Sequence, residues 1–350
     1  MSSRGGASLV VAMIVAACDG GHPHNESVVG PPIFITGVSV GPDRPMPEDG
    51  VITVAFDRYL LPSTVTRQSF SLTDASNQNV TSGLLPTVSY DPVARTVTLA
   101  RQIAGRPWLT KNLTYKLFLG IPEDDSDLGG VRAIDRATLS PNQTLEIAFT
   151  VGEPNGVGTG EPTLDLCRDV TPIFIDKCSS ALCHGDGNQA AAGLVLTTSS
   201  GLANTAISRV AQGANTGAVA GTPRTAGSVF GIDMPLIDPG NPGNSWLLYK
   251  VALAKIPEQP LPAPNVTCAA QAQEPSPPPF VPLVPVSPMT SDADRAALDN
   301  AVLGAQMPYP SVDVTGYGQQ ALTFDERENL RLWIAQLKPG APLPECGACR

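Results

Sequence analysis

Residues 51–65 read VITVAFDRYLLPSTV, and this stretch decides the predicted fold of the first half of the chain. Its first six residues are β-branched, aromatic or small, as expected for a strand, and the Leu-Pro-Ser sequence that follows is a turn signal. Similar short apolar runs, separated by turn residues, recur at 70–73, 96–99, 113–119 and 144–150. We therefore predict about seven strands, packed as an antiparallel sandwich, over residues 33–151.

Composition and charge favour compact domains and argue against nucleic acid as a partner. The chain has 350 residues, of which 42% are apolar and 15% charged, with 33 Gly, 35 Pro and a net charge of -10. This length is typical of about two domains, and the composition favours β-rich or loop-rich domains over a long helical bundle. Because the net charge repels phosphate and no cluster of Lys and Arg reverses it locally, we expect no nucleic-acid partner.

The first eighteen residues predict export and lipid anchoring. An apolar run from Ala7 to Ala17 follows Arg4, is too short to span a bilayer, and leads through small residues to Cys18. The sequence Val-Ala-Ala-Cys at 15–18 is similar to the lipobox of bacterial lipoprotein signal peptides, which implies that residues 1–18 hold the signal and that Cys18 is lipidated. The alternative is a signal peptide cut nearby, with Cys18 an ordinary cysteine. We expect residues 19–32 to be a tether and the protein to lie in the cell envelope, anchored to the membrane and facing the periplasm or the cell surface.

The strand-rich region resembles the bacterial Ig-like domains first noted in surface-layer proteins. Three pieces carry the likeness: a strand and Pro-Ser-Thr-Val turn at 52–65, FSLTD at 70–74 and LTYKL at 113–117. The resemblance implies an all-β Ig-like sandwich that serves as a spacer or a protein-binding module. No group of titratable residues in this region indicates catalysis.

A second domain is predicted beyond a linker at residues 152–163, which is rich in Gly, Pro and Thr. It spans residues 164–350, contains six cysteines, and is interrupted at 256–290 by a Pro-rich insertion that should be extended, without a central helix or strand. Its closing helix is predicted within 322–337. Thr323 and Glu326 form a capping box there, and one face is apolar at Leu330, Trp333, Ile334 and Leu337.

The sequence Cys178-Ser-Ser-Ala-Leu-Cys183-His184 marks the candidate site. Two thiols on one turn can form thioethers with the two vinyl groups of a haem, and a histidine directly after the second cysteine can reach the iron. Four residues separate the cysteines here, instead of the usual two. The same residues could form a Cys178–Cys183 disulfide, or a zinc site completed by Cys346 or Cys349, although an exported setting favours paired thiols.

Most of residues 164–342 resemble the C-terminal cytochrome c-like domains of exported proteins in planctomycetes and myxobacteria. The likeness follows chain order through segments at 171–178, 192–196, 238–250, 306–308 and 322–337. It implies a small, mainly α-helical domain with one covalent haem c held by Cys178, Cys183 and His184. It also implies that Met307, in a Met-Pro dipeptide before the last helix, is the second axial ligand of the iron.

Elimination also reduces the number of candidates for the second axial ligand of the iron. Because His184 is the only histidine after the tether, bis-histidine ligation is excluded within this domain, and Met, Lys, Cys or water remain. The methionines of this region are Met234, Met289 and Met307. Met234, which also precedes a proline, is the rival of Met307, and core filling is the alternative for any one of them.

These features predict a mono-haem c-type cytochrome lipoprotein, an electron carrier and not a catalyst, that exchanges one electron with a partner protein of the envelope. A first alternative is a cofactor-free surface interaction protein stabilised by disulfides. A second is a haem enzyme similar to a peroxidase, which usually needs distal acid–base groups. Two disulfides could form among the remaining cysteines, and the sequence leaves their three connectivities open: Cys167, Cys268, Cys346 and Cys349.

Overall fold

The structure is a computed structural model, and it describes most of the chain with several gaps. The described residues are 29–80, 85–102, 108–124, 127, 129–156, 161–179, 183–185, 190–211, 230, 234–257, 266, 268, 281–287, 290–302, 306–308 and 320–349. Cys18 and Met289 lie outside them, as does the predicted tether up to residue 28.

Two four-stranded sheets occupy the first half of the described chain. Their strands are β1 Ile35–Val38, β2 Met46–Pro47, β3 Ile52–Phe56, β4 Phe70–Asp74, β5 Thr87–Asp91, β6 Thr96–Ala100, β7 Thr114–Leu119 and β8 Glu146–Gly152. One sheet has the order β1-β3-β6-β5 and the other the order β2-β8-β7-β4. The predicted strands are confirmed, but the purely antiparallel pairing is wrong, because the short β2 runs parallel to β8.

Side chains from both sheets share one apolar core. Val54 and Val97 of the first sheet and Leu117 of the second are fully buried in the same cluster. The ring of Phe56 on β3 meets that of Phe70 on β4 edge to face, with centroids 6.3 Å apart. Burial of one such side chain stabilises the fold by about 1.5–3 kcal/mol, so packing alone supports this region, which contains no cysteine.

Five α-helices lie in the second half of the described chain. They are α1 Thr171–Cys178, α2 Ser199–Thr205, α3 Trp246–Ala252, α4 Asp292–Ala301 and α5 Phe324–Gln336. With the two sheets they make a mixed α/β structure of modest helical content. Within the described residues, no helix is long and apolar enough to cross a membrane.

The closing helix α5 begins where the capping box predicts. Thr323 accepts a hydrogen bond from the N–H of Glu326, and the Glu326 carboxylate accepts one from the N–H of Thr323. Leu330, Trp333 and Ile334 of the predicted apolar face are buried and Leu337 is partly buried, and Trp333 meets Phe174 of α1 edge to face at 6.2 Å. The two helices therefore form the centre of a second apolar cluster.

The helices and the sheets share buried surface directly. Trp246 and Tyr249 of α3 belong to the same apolar cluster as the core of the sheets. The hydroxyl of Tyr249 donates to the carbonyl of Gly243 at 2.7 Å. A Cβ atom on Gly243 would lie 2.9 Å from Cβ of Tyr90 on β5, so only glycine permits this approach of the turn before α3 to the sheet.

Two disulfides hold the C-terminal tail. Cys346 pairs with Cys167, 179 residues away, and Cys349 pairs with Cys268, 81 residues away. The sulfur of Cys346 also lies 3.4 Å from the hydroxyl of Thr171 at the start of α1. The structure thereby selects one of the three connectivities that the sequence leaves open, and it joins the tail to two separate segments.

Removing the Cys167–Cys346 disulfide should destabilise the protein and leave the Cys268–Cys349 disulfide intact. We expect replacement of both Cys167 and Cys346 by Ala to lower the free energy of unfolding by about 2–5 kcal/mol, because the unfolded chain regains the entropy of a long loop. Urea unfolding measures the loss. Peptide mapping without reductant should show Cys268 joined to Cys349 in this variant, and a Cys346–Cys349 link in the native protein would contradict the pairing.

Candidate functional site

The candidate site is the turn that follows α1. This helix ends at Cys178, whose carbonyl accepts a hydrogen bond from the N–H of His184 at 2.8 Å. The carbonyl of Cys183 accepts from the N–H of Ala191, and that of His184 from the N–H of Leu196, both at 2.9 Å. These three backbone bonds hold the two cysteines and the histidine on one reversal of the chain.

Burial sets the protonation of the groups on this turn. Burial, and next the nearby Cys183, raise the pKa of the Cys178 thiol to about 12, so the thiol keeps its proton at neutral pH. Burial likewise lowers the pKa of His184, which favours the neutral imidazole. Nδ1 of His184 is buried and has no hydrogen-bond partner among the described residues.

The prediction of one covalent haem c on this turn is wrong. Within the described residues, no group of three or more His, Cys, Asp or Glu side chains is placed to hold a metal ion. Four of the six cysteines of this half form two disulfides, and the motif keeps four residues between its cysteines where the haem motif has two. The zinc alternative also fails, because the sulfurs of Cys346 and Cys349 are already bonded.

The two methionines considered as axial ligands lie in different surroundings. Met234 is buried in the cluster that the helices share with the sheets, whereas Cys178 belongs to the second cluster around α1 and α5. Met307 is half-buried, and its N–H donates to the carbonyl of Lys250 on α3 at 3.4 Å. Met234 therefore fills the core, which is the alternative that the sequence leaves open.

A buried ionic network lies where α5 meets the first sheet. Nη2 of Arg331 is 2.8 Å from Glu328 one turn earlier, its Nε is 3.2 Å from Asp91 at the end of β5, and its Nη1 pairs with Glu161. Burial alone would lower the pKa of Arg331, but these carboxylates raise it. Burial and the charge of Asp91 raise the pKa of Glu328, and Arg331 opposes them. The Arg331 guanidinium of α5 thus links this helix to the end of β5 and to the segment before α1.

A second polar cluster attaches α4 to the sheets. Asp294, only 1% exposed, accepts a hydrogen bond from the N–H of Tyr59 at 3.0 Å. Its carboxylate lies 3.4 Å from Nε of Arg58, which also pairs with Asp135 at 2.5 Å. Burial raises the pKa of Asp294 to about 6, although the Tyr59 N–H and the charge of Arg58 act in the opposite direction.

No family model, no curated protein and no solved structure matches the chain. Neither resemblance in its motifs is therefore supported by a matching relative.

Removing the cation of the Arg331 network should destabilise the fold strongly. Arg331→Ala leaves Asp91 and Glu328 buried without their shared partner, and breaking a buried ion pair costs about 3–5 kcal/mol. Urea unfolding at neutral pH should show a loss of this size. Arg295→Ala is the matched control, since its partner Asp292 is exposed and the expected change is below about 0.5 kcal/mol. Equal effects of the two variants would contradict the role of the network.

The buried carboxyl of Asp294 should make stability depend on pH. Its raised pKa means that the folded protein holds this proton more tightly than the unfolded chain, so the contribution of this group to stability is largest at low pH and is lost as pH rises through about 6. Asp294→Asn removes this titration and keeps an oxygen for the Tyr59 N–H. Relative to that of the native protein, the free energy of unfolding of the variant should rise by about 3 kcal/mol between roughly pH 4 and pH 8.

Denaturant unfolding across that pH range measures the difference. The other charged groups facing Asp294, namely Arg58, Arg95 and Asp135, are the same in both proteins and cancel in the comparison. Asp292→Asn, on the same helix but 93% exposed, is the control and should give a flat profile. A flat profile for Asp294→Asn as well would refute the assignment.

Proposed function

We propose that the protein is a cofactor-free interaction protein of the cell envelope, stabilised by disulfides, whose surface binds a partner protein. The proposal includes the lipid anchor at Cys18 and exposure to the periplasm or the cell surface, both supported by the signal sequence at residues 1–18. Two finer assignments of fold, an Ig-like sandwich for the sheets and a small, mainly α-helical cytochrome c-like domain for the helices, belong to it and are supported by the motifs. The predicted one-electron transfer required the haem and has no part in it.

The observation that carries the proposal is the placement of the Pro-rich segment 281–287 on the first sheet. Val284 is buried, and a Cβ atom on Gly37 of the edge strand β1 would lie 3.4 Å from Cβ of Val284. Arg95 fixes the other end of the segment by donating to the carbonyl of Ser287 at 2.6 Å. The segment is neither helix nor strand, as the prolines predict. A segment without helix or strand is thus fixed at two points on a packed sheet.

This fixed segment presents apolar side chains to solvent. Val281 is 78% exposed and Leu283 is 45% exposed, on either side of the proline and next to the buried Val284. Phe34, 46% exposed, directly precedes β1, the strand that the segment contacts. Apolar groups on a backbone that is already ordered lose little conformational entropy when a partner covers them. Adjacent exposed apolar residues of this kind are typical of protein-binding surfaces.

The ionic network around Arg331 and the polar cluster around Asp294 support the same proposal because they fix the helices to the sheets. Arg331 and Asp294 bind β5 and the segment after β3 from two different helices, α5 and α4. A spacer needs no such buried charges between its neighbours, whereas a binding surface built from both halves requires them to keep one arrangement. The disulfides extend this arrangement to the tail.

Site-specific photo-crosslinking in the envelope of an expressing bacterium tests the proposal. We expect a photoreactive residue in place of Val281 to give one discrete adduct with a partner protein. The second substitution Leu283→Asp should lower its yield about tenfold, equivalent to about 1.4 kcal/mol of binding free energy. A photoreactive residue at Val210, 48% exposed in a different segment, is the matched control and should give no such adduct.

Two outcomes would contradict the proposal. The first is an adduct pattern that is the same for positions 281 and 210, which would mean that the Pro-rich segment has no specific partner. The second is a visible spectrum of the purified protein with haem absorption that survives acid–acetone extraction, because a covalent haem is incompatible with a cofactor-free protein.

A further inference from the structure

The turn after α1 carries two sulfur atoms outside the two disulfides, those of Cys178 and Cys183. The hydrogen bond from the N–H of His184 to the carbonyl of Cys178 joins the backbone at the two ends of this pair. A disulfide requires Cα atoms about 4.4–6.8 Å apart, and this bond limits the separation of the two residues, because each of its ends lies two covalent bonds from the Cα atom of one cysteine. The thiols also interact electrostatically, since Cys183 contributes to the raised pKa of Cys178.

The two cysteines differ in their access to solvent. Cys178 is 8% exposed and lies in the apolar cluster formed by α1 and α5, whereas Cys183 is partly exposed at the surface of the turn. A reagent from solution therefore meets the sulfur of Cys183 first. Burial also keeps the Cys178 thiol protonated, which makes it a poor nucleophile toward an external reagent.

We propose that Cys178 and Cys183 are a thiol–disulfide exchange site, in which Cys183 reacts with a small disulfide from solution and Cys178 then displaces it to close a third intramolecular disulfide. The oxidant is a low-molecular-weight disulfide, of the kind available outside the reducing cytosol. The predicted export of the protein places the site in that setting.

The exchange proceeds in two balanced steps. The Cys183 thiol gives its proton to solvent, and its sulfur attacks the small disulfide, whose S–S bond breaks to form a mixed disulfide and release one small thiol. The Cys178 thiol then loses its proton as its sulfur attacks Sγ of Cys183, and the second small thiol leaves. Two protein thiols are oxidised by two electrons in total, and one small disulfide is reduced to two thiols.

The backbone of the turn favours the second step. The hydrogen bonds of Cys178, Cys183 and His184 fix the backbone at both cysteines before any reaction, which holds the two reacting residues near each other. The product would cross-link Cys183 to Cys178, which lies at the C-terminal end of α1, one helical turn beyond Phe174, whose ring packs on Trp333.

Thiol counting on the full-length folded protein, with oxidised glutathione as the probe, tests this site. After mild reduction that leaves the Cys167–Cys346 and Cys268–Cys349 links intact, alkylation should modify Cys183 before Cys178. In a separate sample that has not been alkylated, oxidised glutathione should oxidise both thiols together, so that neither is alkylated afterwards, and produce a peptide joined internally between residues 178 and 183. Intact mass and peptide mapping measure both changes, and they require no substitution.

Two matched variants separate the roles of the sulfurs. Cys178→Ser should stop after the first step and accumulate a glutathione mixed disulfide on Cys183, which distinguishes exchange from a purely structural role. Cys183→Ser should leave Cys178 at least about tenfold less reactive than Cys183 is in the other variant, because the thiol is buried and protonated. Retained stability in urea unfolding shows that each variant is folded.

Three results would overturn the proposal. The first is that both thiols stay reduced in excess oxidised glutathione while the protein is folded. The second is that Cys178 in the Cys183→Ser variant reacts as fast as Cys183 in the Cys178→Ser variant. Sulfurs that no reductant frees for alkylation, as in a thioether, would also exclude exchange. None of these results bears on binding through the Pro-rich segment, so the two proposals fail independently.

Discussion

Arg331 places one positive charge in an interface from which water is almost excluded, and three carboxylates from separate parts of the chain converge on it. An ion buried in this way is stable only if its partners stay within hydrogen-bond distance, so the network fixes α5 against β5. Because α5 also carries Trp333, which packs on α1, the position of the cysteine turn at the end of α1 depends on the same contact. The ionic junction therefore orients the candidate site relative to the sheets.

The cross-links and the apolar clusters complete this arrangement by different physical means. The disulfides of Cys346 and Cys349 restrict the unfolded chain and attach a tail that has no helix or strand of its own among its described residues. Tyr90 of the apolar cluster shared by α3 and the sheets directly precedes Asp91, and apolar surroundings strengthen a charge interaction such as that between Asp91 and Arg331. Apolar packing and charge pairing at this interface consequently depend on each other.

The haem prediction fails for an instructive reason. A cysteine pair followed by histidine specifies residue types, but a haem also requires a defined spacing and an open face for the macrocycle. In this chain four residues lie between the cysteines, Cys178 is buried among apolar side chains, and its neighbours supply no further metal-ligating group among the described residues. The same turn is suited to the chemistry of two sulfurs of unequal access, which depends on burial and cannot be read from the motif.

Local signals in the sequence determined the strands β3, β4, β6, β7 and β8, the helix α5 with its capping box at Thr323, and the absence of helix or strand at residues 281–287. Each of these depends on backbone preferences and apolar periodicity within about ten residues, which the sequence contains in full. The tertiary structure alone decided the partners of Cys346 and Cys349, the contact between Arg331 and Asp91, and the attachment of the Pro-rich segment to β1. These pairings join residues up to 247 positions apart, the separation of Gly37 and Val284, and they are fixed by the packing of whole elements, since isolated charges and thiols carry no information about distant partners.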